Sequence, residues 1–240
     1  KDNESEGIIG GEGVWIESKY YSSDENGHIT LPGFYDKVRA IDAEERAELA
    51  KLPVNEEFLL KQTGSPSLWG EKGYTPVEQI GARPTLDVNG MLSGFTGEGA
   101  KTVLPAKAMA KISMRLVPDQ TPDEVYEQLV QYMEENAPDG VKWDIKVEHG
   151  GNPSISELGG VGVKAMSDAM STVWGTPPLF KREGGSIPVV GDMQKALGIE
   201  SVLTGFGLPD DRIHSPNEKQ DLPTWYRGID ALIHFFYNLA

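Results

Sequence analysis

The chain has 240 residues, ordinary hydrophobic (38%) and charged (25%) fractions, and a formal net charge of -15. That acidity argues against nucleic acid or an anionic membrane as a partner, because phosphate binding needs concentrated Lys and Arg. Cysteine is absent, which excludes disulfides and thiolate metal sites, so any bound metal must rest on His, Asp and Glu.

No apolar run approaches the roughly 18 residues that span a bilayer. The opening KDNESEGIIGGEG is polar and Gly-rich, starts without Met, and reads as an interior start. GVWIESKYY is expected as a short strand and SSDENG as a turn. DAEERAELAKL (Asp42 to Leu52) predicts a helix with Asp42 as N-cap, its acidic residues reading as a solvated face. KQTGSPSLWGEKGYTP reads as a loop, with a helical turn near Val77–Ile80. From Pro84 the period becomes two. PTLDVNGML reads as a strand, and TVLPAKAMAKISMRLVP as a long one with Ala108, Ala110, Ile112, Met114 and Leu116 on one face. A helix follows, with Thr121 as N-cap, Pro122 at its first position, Glu124 completing a capping box, and Val125, Leu129 and Met133 as its apolar stripe. VKWDIKVEHG alternates again and closes a small α+β block with an antiparallel sheet.

Beyond a boundary near residues 152–156 the pattern becomes helix–strand. Val161–Val173 and Val189–Leu197 read as helices, PPLFKREGGSIP as a strand with a tight turn, and IESVLTGFG as a buried strand. The last helix, Trp225–Leu239, places Trp225, Ile229, Leu232, Ile233 and Phe236 on one face. This half reads as α/β layers.

Three places could carry chemistry. His214 lies in GFGLPDDRIHSPNEK, just past a strand end, where α/β folds gather ligands. Imidazole there is a metal ligand, with Glu218 or Asp210 as its acceptor, or a plain exposed loop residue. The paired glycines of KREGGSIP let backbone N–H groups approach a ligand beside Ser186, or simply form a turn with a Ser N-cap. No Gly-x-Ser-x-Gly elbow is present, which disfavours a serine nucleophile. Thr102 and Arg115 share the long strand. An odd separation puts them on opposite faces unless Pro105 breaks the strand; Arg115 is a carboxylate clamp or an edge-strand surface residue.

GARPTLDVNG, GFTGEGAKTVLPAKAMAKISMRLVPDQTP, REGGSIPVV and LTGFGLPDDRIHSPNEK together resemble the C-terminal part of the M-20 metallopeptidases, in the branch of cytosolic non-specific dipeptidase and carnosinase. The resemblance runs over about residues 24–240 in matching order. It implies an α/β catalytic domain interrupted by an α+β lid that also mediates homodimerisation. Residues 1–27 would be a poorly matched lead-in, 28–152 the antiparallel-sheet lid, and 153–240 the C-terminal half of the catalytic domain. It further implies a cytoplasmic hydrolase of dipeptides or short peptides, with two divalent metals, zinc or in some members manganese. A glutamate would act as general base on the bridging water.

On the family pattern His214 matches the last metal ligand, and Thr102 and Arg115 match substrate-contacting positions. Ser186 matches the substrate-carboxylate turn, which Arg182 and Gly185 would support. The family's His-x-Asp pair, bridging Asp, Glu-Glu pair and HSG histidine element have no counterpart here. The isolated chain is therefore expected to be inactive and to bind metal weakly. The alternative reading is a non-catalytic dimerisation or peptide-binding module.

Overall fold

The computed structural model describes residues 23–183 and 187–240. The strand expected at GVWIESKYY lies outside the described residues, as do Gly185 and Ser186. The chain divides into two compact units. The first is Lys1–Pro153 with Lys181–Pro188, and the second is Ser154–Phe180 with Val189–Ala240.

The first unit opens with a turn. The Asp24 carboxylate accepts from the Asn26 and His28 N–H groups at 2.8 and 2.9 Å, and Ser23 bridges Ile29. These local bonds hold Asp24's carboxyl below its ordinary range, the His28 N–H contributing most. Helix α1 (Ala43–Leu49) is capped by Asp42, which accepts the Glu45 N–H at 2.8 Å. Helix α2 (Glu56–Thr63) has Asn55 as N-cap and ends on Gly64 at φ 69°. The sequence pattern suggests no element for residues 53–60 and a loop from Lys61, so this helix is not expected; none of its residues is buried. Its apolar content is therefore a poor guide, while its caps were readable. Helix α3 (Pro76–Ala82) carries a complete capping box between Thr75 and Glu78.

Strands β1 (Thr85–Ser93) and β2 (Ala108–Arg115) pair antiparallel, Thr85 opposite Arg115, with a register shift between Val88 and Gly90. The predicted long strand thus starts only at Ala108. Pro105 lacks an N–H for a ladder and restricts the residue before it, which leaves Thr102 in irregular chain. Burial along β2 departs from the alternating expectation as well, since only Met114 is even half-buried. Helix α4 (Pro122–Asn136) is capped by Thr121, which accepts the Glu124 N–H at 3.4 Å. The expected capping box is not completed. The Glu124 carboxylate instead accepts from the Thr121 hydroxyl and from Lys37, and Lys37, then Thr121, lower its pKa.

Ile29, Leu31, Phe34 and Val125 form the core here, backed by Leu86, Met114, Leu116, Leu129 and Tyr132. Phe34 is 1% exposed, a burial worth about 1.5–3 kcal/mol. Gln120 ties the layers together. Its amide donates to the Phe34 carbonyl at 2.7 Å, and its oxygen accepts from Val117 N–H at 3.0 Å. Gln128 donates to the Gly33 carbonyl at 3.1 Å.

In the second unit, α5 (Val161–Trp174) packs on α7 (Leu222–Leu239), and α6 (Pro188–Leu197) begins in the first unit's returning segment. Val163, Ala165, Met166 and Ala169 are buried on α5, and Gly228 and Ala231 on α7. Asn238 donates to the Ala165 carbonyl at 3.0 Å. Helix α7 starts three residues before its apolar stripe because Asp221 caps it, accepting the Thr224 N–H at 2.8 Å.

Small residues admit the segment between α6 and α7. A Cβ on Gly162 would meet Val202 at 2.8 Å, and one on Gly228 would meet the Phe206 ring at 2.5 Å. Three expected strands are corrected. Among the described residues, 141–150, 177–183 and 199–207 form no ladder, and 199–207 contains no buried residue. A strand exists only when its N–H and C=O groups meet a neighbour's, and none of these segments has such a neighbour among the described residues. The fold is mixed: helices around one small two-stranded antiparallel sheet.

Candidate functional site

The residues singled out from sequence fall in both units. In the first, Thr102 is exposed in the irregular chain before β2, and Arg115 ends β2 with an exposed side chain. The break at Pro105 removes the strand-parity objection to their sharing a site. No hydrogen bond or ion pair joins Thr102, Arg115 and Arg182 to one another among the described residues. Arg115 makes no ion pair among them either, which leaves its guanidinium available to a carboxylate.

Arg182 is engaged. Its Nη2 donates to Glu45 Oε2 at 2.8 Å, and its Nε reaches the other carboxylate oxygen of the same Glu45 on α1. Both side chains are mostly buried, at 16% and 21% exposure. The backbone of Arg182 also lies against α3, where a Cβ on Gly81 would stand 2.4 Å from its carbonyl oxygen. Sequence reasoning missed Glu45 because its partner lies 137 residues away; no local signal marks such a pair.

A second polar cluster stands behind α3. Arg83 donates to both oxygens of Glu71 at 2.7 and 2.9 Å and covers the rings of Tyr74 and Tyr35, 4.4 and 5.0 Å from their centroids. Burial works to lower the Arg83 pKa, but the Glu71 carboxylate prevails and raises it. His28 stacks on Tyr35 and meets Glu71 at 3.2 Å. Desolvation raises the Tyr35 pKa, although its hydroxyl accepts the Ile29 N–H at 3.1 Å. Every charged group here has a partner within the cluster, so it fastens the turn at Asp24 to α3.

In the second unit, His214 is exposed and sits at φ 63°, between Arg212 at φ 55° and Asn217 at φ 61°. Three non-glycine residues in the left-handed region within one loop carry local strain. The loop base is closed by Asp211, which is 1% exposed. Its carboxylate accepts from Leu208 N–H at 2.7 Å and Lys219 Nζ at 3.0 Å, and its carbonyl accepts Lys219 N–H at 3.0 Å. The Leu208 N–H, then Lys219, hold the Asp211 carboxyl below its ordinary range, and Asp211 raises Lys219. Asp210, suggested as an acceptor for His214, pairs with Lys219 instead at 3.0 Å.

The described residues do not fit a metal centre by themselves. No group of three or more His, Asp or Glu among them gathers closely enough to hold an ion. His214 contributes a single imidazole, and one neutral donor does not hold a divalent metal. No helix among the described residues is long and apolar enough to cross a membrane.

Comparison with known proteins places these features. Residues 32–141 match the family described as Peptidase dimerisation domain. The chain is 32% identical over 221 residues to the Cys-Gly metallodipeptidase DUG1 of Candida albicans, covering 89% of this chain and 45% of that protein. It is 28% identical over 221 residues to the human Beta-Ala-His dipeptidase, covering 90% and 43%. Among solved structures, the M20 family metallo-carboxypeptidase Sso-CP2 from Sulfolobus solfataricus superposes with a TM-score of 0.80 at 30% identity, covering 92% of this chain and 51% of that one. The chain spans about half the length of the curated relatives it matches; residues 32–141 carry the M20 peptidase dimerisation domain, and the chain as a whole is similar to M20 peptidases.

Proposed function

We propose that this chain is the lid and dimerisation domain (28–152) plus the C-terminal part of the catalytic domain (153–240) of a metal-dependent dipeptidase acting on dipeptides or short peptides. The observation that carries this reading is the 32% identity to a Cys-Gly metallodipeptidase, sustained across 89% of the chain. In this reading His214 is a metal ligand. Arg115 and Thr102 contact substrate, and Ser186 belongs to the substrate-carboxylate turn, with Arg182 and Gly185 supporting it. The metals are two divalent ions, zinc or manganese. Residues 32–141 pair two copies, and the enzyme is cytoplasmic, like the branch it resembles.

The chain alone is inactive in this reading. That expectation rests on the family's His-x-Asp, bridging Asp and Glu-Glu elements having no counterpart in the sequence; a second reading is a non-catalytic dimerisation or peptide-binding module. One experiment separates them. The chain is combined with a polypeptide supplying the family's His-x-Asp, bridging Asp and Glu-Glu elements, and assayed with zinc or manganese on a panel including Cys-Gly and β-Ala-His. The dipeptidase reading expects hydrolysis by the combined protein only, lost in His214→Ala. A combined protein inert on the whole panel overturns it in favour of the module. Hydrolysis by the chain alone, abolished by His214→Ala, would show that the inactivity claim is wrong.

A further inference from the structure

We propose that Asp211 is a positioning residue: it ties together the two ends of the loop that carries His214 and so holds His214 in its left-handed backbone conformation. The inference rests on the reading of His214 as a functional imidazole and names what sets its place.

Among the described residues, no hydrogen bond or ion pair engages the His214 side chain. Its backbone alone therefore directs the ring. That backbone lies in the left-handed region at φ 63°, as do Arg212 at 55° and Asn217 at 61°. Each of the three has a Cβ that crowds its own carbonyl there. No glycine stands between Leu208 and Lys219 to take over a left-handed position. A return of His214 to negative φ would swing its Cα–Cβ bond, and the ring with it, to a new direction.

The bonds that oppose such a return converge on Asp211. At one end of the loop, its N–H donates to the Leu208 carbonyl at 3.0 Å and its carboxylate accepts the Leu208 N–H at 2.7 Å. At the other end, its carbonyl accepts the Lys219 N–H and its second carboxylate oxygen accepts from Lys219 Nζ, each at 3.0 Å. Main chain and side chain of one residue thus hold both ends. Only 1% of Asp211 is exposed, so water does not compete for these bonds.

Its neighbours have narrower tasks. Ser215 donates to the Arg212 carbonyl through its N–H at 3.0 Å and its hydroxyl at 2.7 Å, a turn confined to residues 212–215. Asp210, with its side chain 74% exposed, meets Lys219 Nζ at 3.0 Å and steadies that ammonium. A loop closed at both ends has few backbone alternatives, whereas one released at an end relaxes its strained residues first.

The test has two arms. In the first, the 240-residue chain is followed by NMR. A positive φ brings an amide hydrogen close to the Hα of the same residue, so His214 should show a strong NOE between the two. Asp211→Ala is expected to reduce that NOE by about half or more. It should also speed exchange of the Lys219 N–H about tenfold, with the α5 amides unchanged. Lys219→Met is expected to shift both readouts in the same direction, and Lys219→Arg to leave them in place. Because Lys219 is half-exposed, Lys219→Met breaks the tie without emptying a buried position and serves if Asp211→Ala does not fold. In the second arm, the combined protein is assayed on Cys-Gly. Asp211→Ala and Lys219→Met are each expected to lower kcat about tenfold with KM changed less than about twofold, and Lys219→Arg to preserve kcat.

A weak His214 NOE in the unmutated chain, or one that both variants leave intact, overturns the tie. An altered NOE with kcat unmoved overturns the positioning role, because the shape of the loop would then not matter to the reaction. Loss of α5 protection in both variants overturns it as well, since Asp211 would then support the whole unit. An unmutated combined protein that hydrolyses nothing removes the dipeptidase reading, and the NMR arm alone then decides whether Asp211 holds His214.

Discussion

The two units solve the problem of a small core differently. The first surrounds Phe34 with apolar side chains and then encloses charged groups in fixed pairs, Arg83 with Glu71 and Arg46 with Glu78. The second joins α5 and α7 through small residues, with Ala169 and Ala231 both at 0% exposure. It leaves the opposite face of α7 uncovered: Trp225 is 51% exposed, Tyr226 63% and Phe236 67%. The second presents an apolar surface whose cover is not supplied by the described residues. Such a contiguous exposed apolar surface marks a place of association.

The largest effect that would test this contrast is at the centre of the first core. Phe34→Ala removes a fully buried ring and is expected to cost about 3–5 kcal/mol. Calorimetry should show the first unit's transition fall while exchange protection in α5 persists. Simultaneous loss in both units would break the comparison, because it would make them one cooperative body. Glu71→Gln comes next. It strips the carboxylate from a pair whose side chains are 8% and 12% exposed, and leaving a buried guanidinium without its counter-charge costs about 3 kcal/mol. A denaturant midpoint that hardly moves would mean that the faces of Tyr35 and Tyr74 suffice to hold Arg83.

What the sequence showed of these two regions differs for a physical reason. Helix caps are local, and Asp42 and Thr121 marked two helix starts correctly because donor and acceptor lie three residues apart. Strands are not local. The alternating stretch 141–150 and the apolar 199–207 had the composition of strands but not the neighbours, and composition cannot supply a ladder. The stripe Trp225, Ile229, Leu232, Ile233 and Phe236 was a true helix face, yet it is the exposed one. Periodicity identifies an apolar face without saying what covers it. At the candidate site the residue types at Thr102, Arg115 and His214 were visible, whereas the Glu45 partnership across 137 positions was not.

The acid limb of stability sharpens the contrast in the loop that holds His214. Asp211 is held below the ordinary carboxylate range by the Leu208 N–H and by Lys219. Its folded pKa lies under its unfolded value, so the group favours folding above the unfolded value. That contribution is lost as pH falls through the folded one. Asp211→Asn should therefore reduce protection of the 208–219 loop near neutral pH. The difference from the unmutated chain should begin to shrink as pH falls below about 4 and vanish only below the depressed folded pKa of Asp211, where both side chains are neutral. A difference that persists undiminished into acid would mean that the charge on Asp211 is irrelevant and only its shape matters.

The smallest effect on stability should accompany the clearest effect on association. Phe236 and Trp225 lie on the uncovered face of α7 and are more than half exposed, so replacing both with Ser removes little folded-state contact. The expected change in melting is within about 0.5 kcal/mol, as for surface positions outside any specific feature. The uncovered face nevertheless predicts that the chain self-associates with rising concentration, and the double substitution should reduce this in sedimentation velocity. The pairing proposed for residues 32–141 would be unaffected, since neither residue lies in that match. A chain that stays dimeric and does not grow further, with or without the substitutions, would mean that the α7 face tolerates water. A large loss of stability in the double variant would be the more serious failure. It would place Phe236 and Trp225 in the folded core, and the reading of the α7 face as an open association surface would have to be abandoned.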